Sequence, residues 1–200
     1  MNGMDVPTVS GGFNPERSGP RAPLARQLTW WILVLPLLML VAILTKSLYL
    51  LDYSHVLSAV LWTGADLFLG FVLGPVLRHI SPEHRRALIR YLVPKTVLYM
   101  PTVAFTTVVA GGVLANWFGF LTPGTPDVPW IIAAAVVATI LVIQGGVISW
   151  NEFRVLRELD RPAPDEARIV RWNGWVFRLA AVQAILQVLV VLVMAHLTVG

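Results

Sequence analysis

Five apolar runs dominate this chain, at about Leu28 to Leu44, Leu48 to Leu77, Val93 to Leu121, Val128 to Leu156 and Trp172 to Leu197. A helix rising 1.5 Å per residue needs about 20 residues to cross a hydrocarbon core of about 30 Å, so each run is expected to suffice and several to project beyond it. Hydrophobic residues make up 56% of the chain and charged residues 13%, with a mean hydropathy of +0.72, which is far from the balance of a water-soluble domain. The expectation is an all-α integral membrane bundle of five transmembrane helices, a four-helix core plus an N-terminal extra helix. Residues 28–200 form this five-span domain. Residues 1–27, rich in Gly, Pro, Ser and Asn and without a sustained apolar period, are expected to be a disordered cytoplasmic tail.

Connections between the runs are short. Thr45 to Ser47 follows the first, Thr122 to Pro126 the third and Arg161 to Asp165 the fourth. Between the second and third lies Ser81 to Leu92, where Ser81 can cap and Pro82 can open a short interfacial helix.

Two residue types report orientation independently. Thirteen arginines and lysines lie before the first run or in the loops after the second and fourth, against Lys46 alone on the other side. By the positive-inside rule the N-terminus is cytoplasmic and the C-terminus outside, in the cytoplasmic (inner) membrane. Tryptophan prefers the headgroup region, and Trp30, Trp31, Trp150, Trp172 and Trp175 fall at inner ends while Trp117 and Trp130 fall at outer ends. Trp62 is left near mid-membrane. A formal charge of +4 is explained by this loop chemistry, so no nucleic-acid partner is expected.

Function should be sought where ionisable groups enter apolar sequence, because such groups are costly in a bilayer and face a bundle interior, a cofactor or a conduction path. In HVLSAVLWTGADLFLGFVLGPVLR, residues 55–78, a turn of about 100° per residue puts His55, Trp62 and Asp66 within roughly 40° of one another. On the last run Gln183, Gln187 and Met194 share one face, expected to be the interior, and Arg178 and His196 share the opposite one. Arg178 is placed to reach headgroups, or Asp66 if the helices rotate to allow it. His79 and His84 belong to a basic loop. Glu152, beside Asn151 and Arg154, reads as part of a polar cluster at a helix end. The glycine pairs Gly70 and Gly74, Gly111 and Gly112, and Gly145 and Gly146 permit close helix packing, or the approach of a flat macrocycle.

The chain has no cysteine, which excludes disulfides, cysteine-ligated clusters and covalently attached c-type haem. No P-loop, dinucleotide fingerprint or zinc helix motif is present. The pattern of His55, Trp62 and Gly64, followed by an aromatic-rich segment ending in Arg78, resembles the H-x6-W-x-G segment of HemJ-type membrane protoporphyrinogen oxidases and CopD-like copper resistance membrane proteins. Arg171 and Asn173, at the opening of the last run, are similar to that family's Arg and Asn before its final span. The resemblance implies a four-helix core that binds haem b, with His55 as the metal ligand. Trp62 and Asp66 would support it, and the sixth position would be taken by Met194 or His196, or be empty or water-bound. It also implies redox chemistry on a tetrapyrrole or with the quinone pool. The family's intramembrane lysine has no counterpart here, since residues 128–144 contain no cation. Copper transport through His and Met ligands is the alternative. A further alternative is a non-catalytic subunit of a membrane complex, or a homo-oligomer, whose polar residues pack helices.

Overall fold

A computed structural model describes residues 29–122, 124, 128–161 and 163–199. The tail expected over residues 1–27 lies outside them, as does most of the Thr122 to Pro126 connection. The described chain is helical and without strands. In order, α1 is Trp30–Leu44, α2 is Leu48–His79, α3 is Pro82–Trp117, α4 is Val128–Leu159 and α5 is Glu166–Val199. Helices α2 to α5 are each long and apolar enough to cross a membrane. Helix α1 is shorter, a four-residue 3-10 turn followed by eleven α-helical residues, or about 22 Å at helical rise.

Around the core the order is α2, α3, α4, α5, with α2 and α4 on one diagonal and α1 packed outside the α2–α3 edge. The expected four-helix core with an extra N-terminal helix is therefore the observed architecture. The α1–α2 link is tight. The Ser47 N–H reaches back to the Ala42 carbonyl (2.9 Å), Lys46 takes a left-handed φ of 53°, and the Ser47 hydroxyl then caps α2 by accepting from the Leu50 N–H.

Apolar packing falls into three levels. Near the α1–α2 turn, Met39 and Ala42 meet Leu51, Ala110 and Leu114. The middle level gathers Trp62, Leu69, Met100, Val103, Leu141 and Phe177, and the level near the arginine-rich end gathers Ile89, Val93, Val155, Leu156, Leu159 and Ile169. Outward faces remain apolar, with Ile140, Ile143, Val182, Ile185, Leu189 and Leu192 all exposed. Helices that are hydrophobic all round in this way suit a lipid surround.

Two departures from the sequence expectation concern helix continuity. The short interfacial helix expected over Ser81 to Leu92 is not separate: Ser81 does cap and Pro82 does open a helix, but that helix runs unbroken for 36 residues to Trp117. Its buried stripe of Ile89, Val93, Met100, Val103, Ala110 and Leu114 passes straight through Pro94 and Pro101, so packing on both sides holds the rod together where proline removes a backbone bond. The second departure is in α2, whose residues Phe68–Leu73 form a π-helical segment between two α-helical ones. A π-turn inserts an extra residue. It keeps Asp66 before it, Leu69 within it, and Gly74 and Leu77 after it all buried across a register change.

Candidate functional site: a carboxyl–amide centre inside the bundle

The buried stripe of α2 upstream of the π-segment is Leu51, Ser54, Ser58, Trp62 and Asp66, with helical spacing throughout. Trp62 and Asp66 thus face inward together, as their shared azimuth predicts. Asp66 is fully buried. Its Oδ2 accepts from the side-chain amides of Gln183 (2.8 Å) and Gln187 (3.0 Å), one turn apart on α5. Arg178 is not its partner: that guanidinium lies over the Trp175 ring, one turn nearer the start of α5.

A second carboxyl lies deeper toward the arginine-rich end. Glu152 on α4 is buried, accepts from the Thr96 hydroxyl of α3 (2.7 Å) and lies within coulombic reach of Asp66. All four core helices therefore contribute a polar side chain to one interior seam. Among the described residues, Asp66 Oδ1, Glu152 Oε2, Gln183 Oε1 and Gln187 Oε1 are buried acceptor oxygens with no donor, and no cation pairs with either carboxyl.

Magnitudes show why this arrangement is unusual. An aspartate at the centre of a membrane helix costs about 2.5–3.5 kcal/mol, whereas an interhelical hydrogen bond in a bilayer returns on average about 0.6 kcal/mol. Two amide donors therefore offset part of the cost and not all of it. Toward the α1–α2 end, the seam continues as Ser54, Ser58, Thr102 and Thr106, whose hydroxyls donate to carbonyls one turn back on their own helices. Their oxygens still have accepting lone pairs.

His55 lies beside the buried stripe and faces α3. Its Nδ1 is 2.8 Å from the Thr107 carbonyl oxygen; since a carbonyl only accepts, Nδ1 carries the proton, which in the neutral ring leaves the lone pair on Nε2. The ring rests on Gly111, where an added Cβ would stand 2.7 Å from Cε1. Gly111→Ala is therefore expected to expel the imidazole from its seat and break the Thr107 bond. Gly112→Ala, with open space around it, should leave both intact, and the imidazole resonances in an NMR spectrum of labelled protein distinguish the two outcomes.

Other expected site residues lie elsewhere. His196 is exposed and stacks on Trp130 of α4, with ring centroids 4.1 Å apart, and Met194 is half-buried. No group of three or more His, Asp or Glu side chains arranged to hold a metal ion is found among the described residues. For haem, the chain offers one fitting donor, His55 Nε2, its ring oriented by a carbonyl bond in the manner common to metal-bound histidines. The space at Gly111 is filled by that same ring, and the two clefts described both lie near the arginine-rich end.

Glu152 is the functional candidate that sequence reasoning missed, having been assigned to a helix-end polar cluster. A signal for it exists: Leu141, Ile148, Glu152, Val155 and Leu159 recur at intervals of seven, four, three and four, which places the glutamate on the packed stripe. No family model, curated protein or solved structure matches this chain.

Proposed function

We propose that this polytopic membrane protein transfers protons through its bundle, with Asp66 as the central exchanging group and Glu152 as the relay toward the arginine-rich end. The observation that carries the reading is the Asp66 carboxyl: fully buried, held by two amides, without a cation, and with one oxygen unpartnered. Ionisable groups kept inside a membrane at such cost are characteristic of ion and proton pathways. Glu152 gives a second exchanging group within coulombic reach, and the unpartnered glutamine oxygens supply acceptors for water or hydronium beside the first. In proteoliposomes loaded with a pH-sensitive dye, the wild type is expected to dissipate an imposed pH gradient faster than empty vesicles. Equal rates for wild type and Asp66→Asn would overturn the reading.

A second reading follows from His55, whose free Nε2 suits an axial haem ligand. Haem b held there would supply one-electron redox chemistry, to which this chain's carboxyls would add proton uptake. His55 would fix the ligand through its Thr107 bond, and tetrapyrrole or quinone substrates would approach from the bilayer. Oxidised and dithionite-reduced optical spectra of gently solubilised protein decide it: a haem spectrum abolished by His55→Ala supports ligation, and a colourless wild type purified from haem-replete cells removes it. Copper transport would call on His55, Met194 and His196, of which His55 is seated against Gly111 of α3 and His196 against Trp130 of α4. The inner-membrane placement with a cytoplasmic N-terminus is part of the proposal and rests on the arginine distribution.

A further inference from the structure

At the arginine-rich end, the close of α2, the first turns of α3 and the first turns of α5 enclose a cleft of about 390 Å³. Arg78, Arg85, Arg171 and Arg178 line it, and no aspartate or glutamate does. Nor does any of the four form an ion pair among the described residues. The nearby acid that opens α5, Glu166, is held by Arg86 instead. Arg85 adds a buried Nε–H with no acceptor, which leaves a donor unsatisfied at the wall of a cavity that holds only positive charge. Such a set of guanidiniums lining one cleft without a counter-charge, Arg85 keeping donors free beyond its bond to the Ile80 carbonyl, is suited to a phosphate, which accepts forked hydrogen bonds from several arginines at once.

The remainder of the lining indicates where that phosphate comes from. Leu77 and Phe177 are buried and form an apolar floor, while Val170 and Trp175 carry the apolar wall out to the exposed face of α5. Trp175 is half-exposed, with Arg178 over its ring, the placement of an indole at the headgroup level. A ligand that is anionic at one end and apolar at the other matches this lining. We propose that the cleft is a binding site for an anionic phospholipid, its phosphate held by the four arginines and the start of its acyl chains lying on Leu77 and Phe177. Basic pockets between membrane helices hold such headgroups by the same chemistry. The site is independent of any proton transfer at Asp66.

The test uses full-length protein, delipidated in mild detergent and titrated with phosphatidylglycerol or with phosphatidylcholine of the same acyl chains, with lipid retention read by native mass spectrometry. Wild type should retain phosphatidylglycerol preferentially. Arg78→Gln with Arg171→Gln should weaken that retention roughly thirtyfold, from about fivefold per arginine. Arg157→Gln with Arg168→Gln, equal in charge but outside the cleft, should leave it unchanged. In wild type alone, phosphatidylglycerol should also protect Arg78 and Arg171 from phenylglyoxal, a readout that survives if the cleft variant fails to fold. Equal retention of the two lipids, equal losses in the two double variants, or absence of protection would overturn the site. Displacement of the lipid by soluble glycerol phosphate at matched concentration would overturn its assignment to a lipid in favour of a soluble phosphate.

Discussion

Asp66→Asn is expected to bring proton movement across reconstituted vesicles down to that of protein-free vesicles, while leaving the protein folded. Asparagine keeps the size of the side chain and one carbonyl oxygen to accept from the Gln183 or Gln187 amide, so most of the interhelical contact survives. What it removes is the exchangeable carboxyl proton. Asp66→Leu separates the two roles of the residue, because it also strips both buried glutamine amides of their acceptor. At about 0.6 kcal/mol per interhelical bond, rising to about 1.7 kcal/mol at most, the expected loss is about 1–3 kcal/mol. Unfolding of both variants in mixed micelles gives the stability difference, and the dye assay gives the transport difference. A leucine variant as stable as the asparagine one would mean that the amides find other partners. An asparagine variant that still moves protons would remove Asp66 from the path.

Gly70→Ala is expected to produce the largest loss of stability of any single methyl group added to the bundle. A Cβ at position 70 would stand 2.5 Å from the Cα of Ala181 and 2.6 Å from its backbone nitrogen, so the obstacle is main chain and not a side chain that can swing away. Helices α2 and α5 would have to separate at the level of the π-segment, four residues past Asp66. Overpacking of this kind costs typically 1–3 kcal/mol, and a backbone collision belongs at or above the top of that range. Two controls sharpen the expectation. Ala181→Gly should not rescue the variant, since the Cα and nitrogen remain, and Gly146→Ala, with nothing within 4 Å of its added carbon, should change stability by less than about 0.5 kcal/mol. Unfolding transitions of the wild type and the three variants, measured side by side, settle it.

The glycines also illustrate what the sequence made legible. As three pairs they announced close packing, and close approach does occur at Gly70, Gly74 and Gly111, whereas Gly112 and Gly146 face open space. Spacing alone identifies candidates for a close approach but does not say which helix arrives at which residue. The four long helices were legible because apolar length is a direct response to bilayer thickness, and the inward direction of Gln183 and Gln187 because an amide in an apolar helix needs a partner. Asp66 was legible for the same reason. Its partners were not, because the rotation of α5 relative to α2 is set by packing at Gly70 and Ala181.

Elsewhere local sequence pointed the wrong way. Ser81 and Pro82 do open a helix, but the end expected near Leu92 does not occur, because a continuous buried stripe from Ile89 to Leu114 carries that helix on through Pro94 and Pro101. Glu152 was obscured by its neighbours: Asn151 is half-buried and bonds back to the Val147 carbonyl of its own helix, Arg154 stacks over the exposed Trp150, and only the heptad-like spacing of its own stripe distinguishes Glu152 from them. The π-segment has no local signature at all.

The most direct test of the account is an infrared difference spectrum of wild-type protein in lipid, recorded as the bathing buffer is switched from H2O to D2O and then stepped in pH. A carboxyl group that exchanges protons with the medium must show a C=O stretching band that shifts with deuterium, responds to pH, and is missing from Asp66→Asn. The account predicts that band, with slower exchange in Glu152→Gln. A spectrum in which no carboxyl band distinguishes wild type from Asp66→Asn under either switch would contradict it.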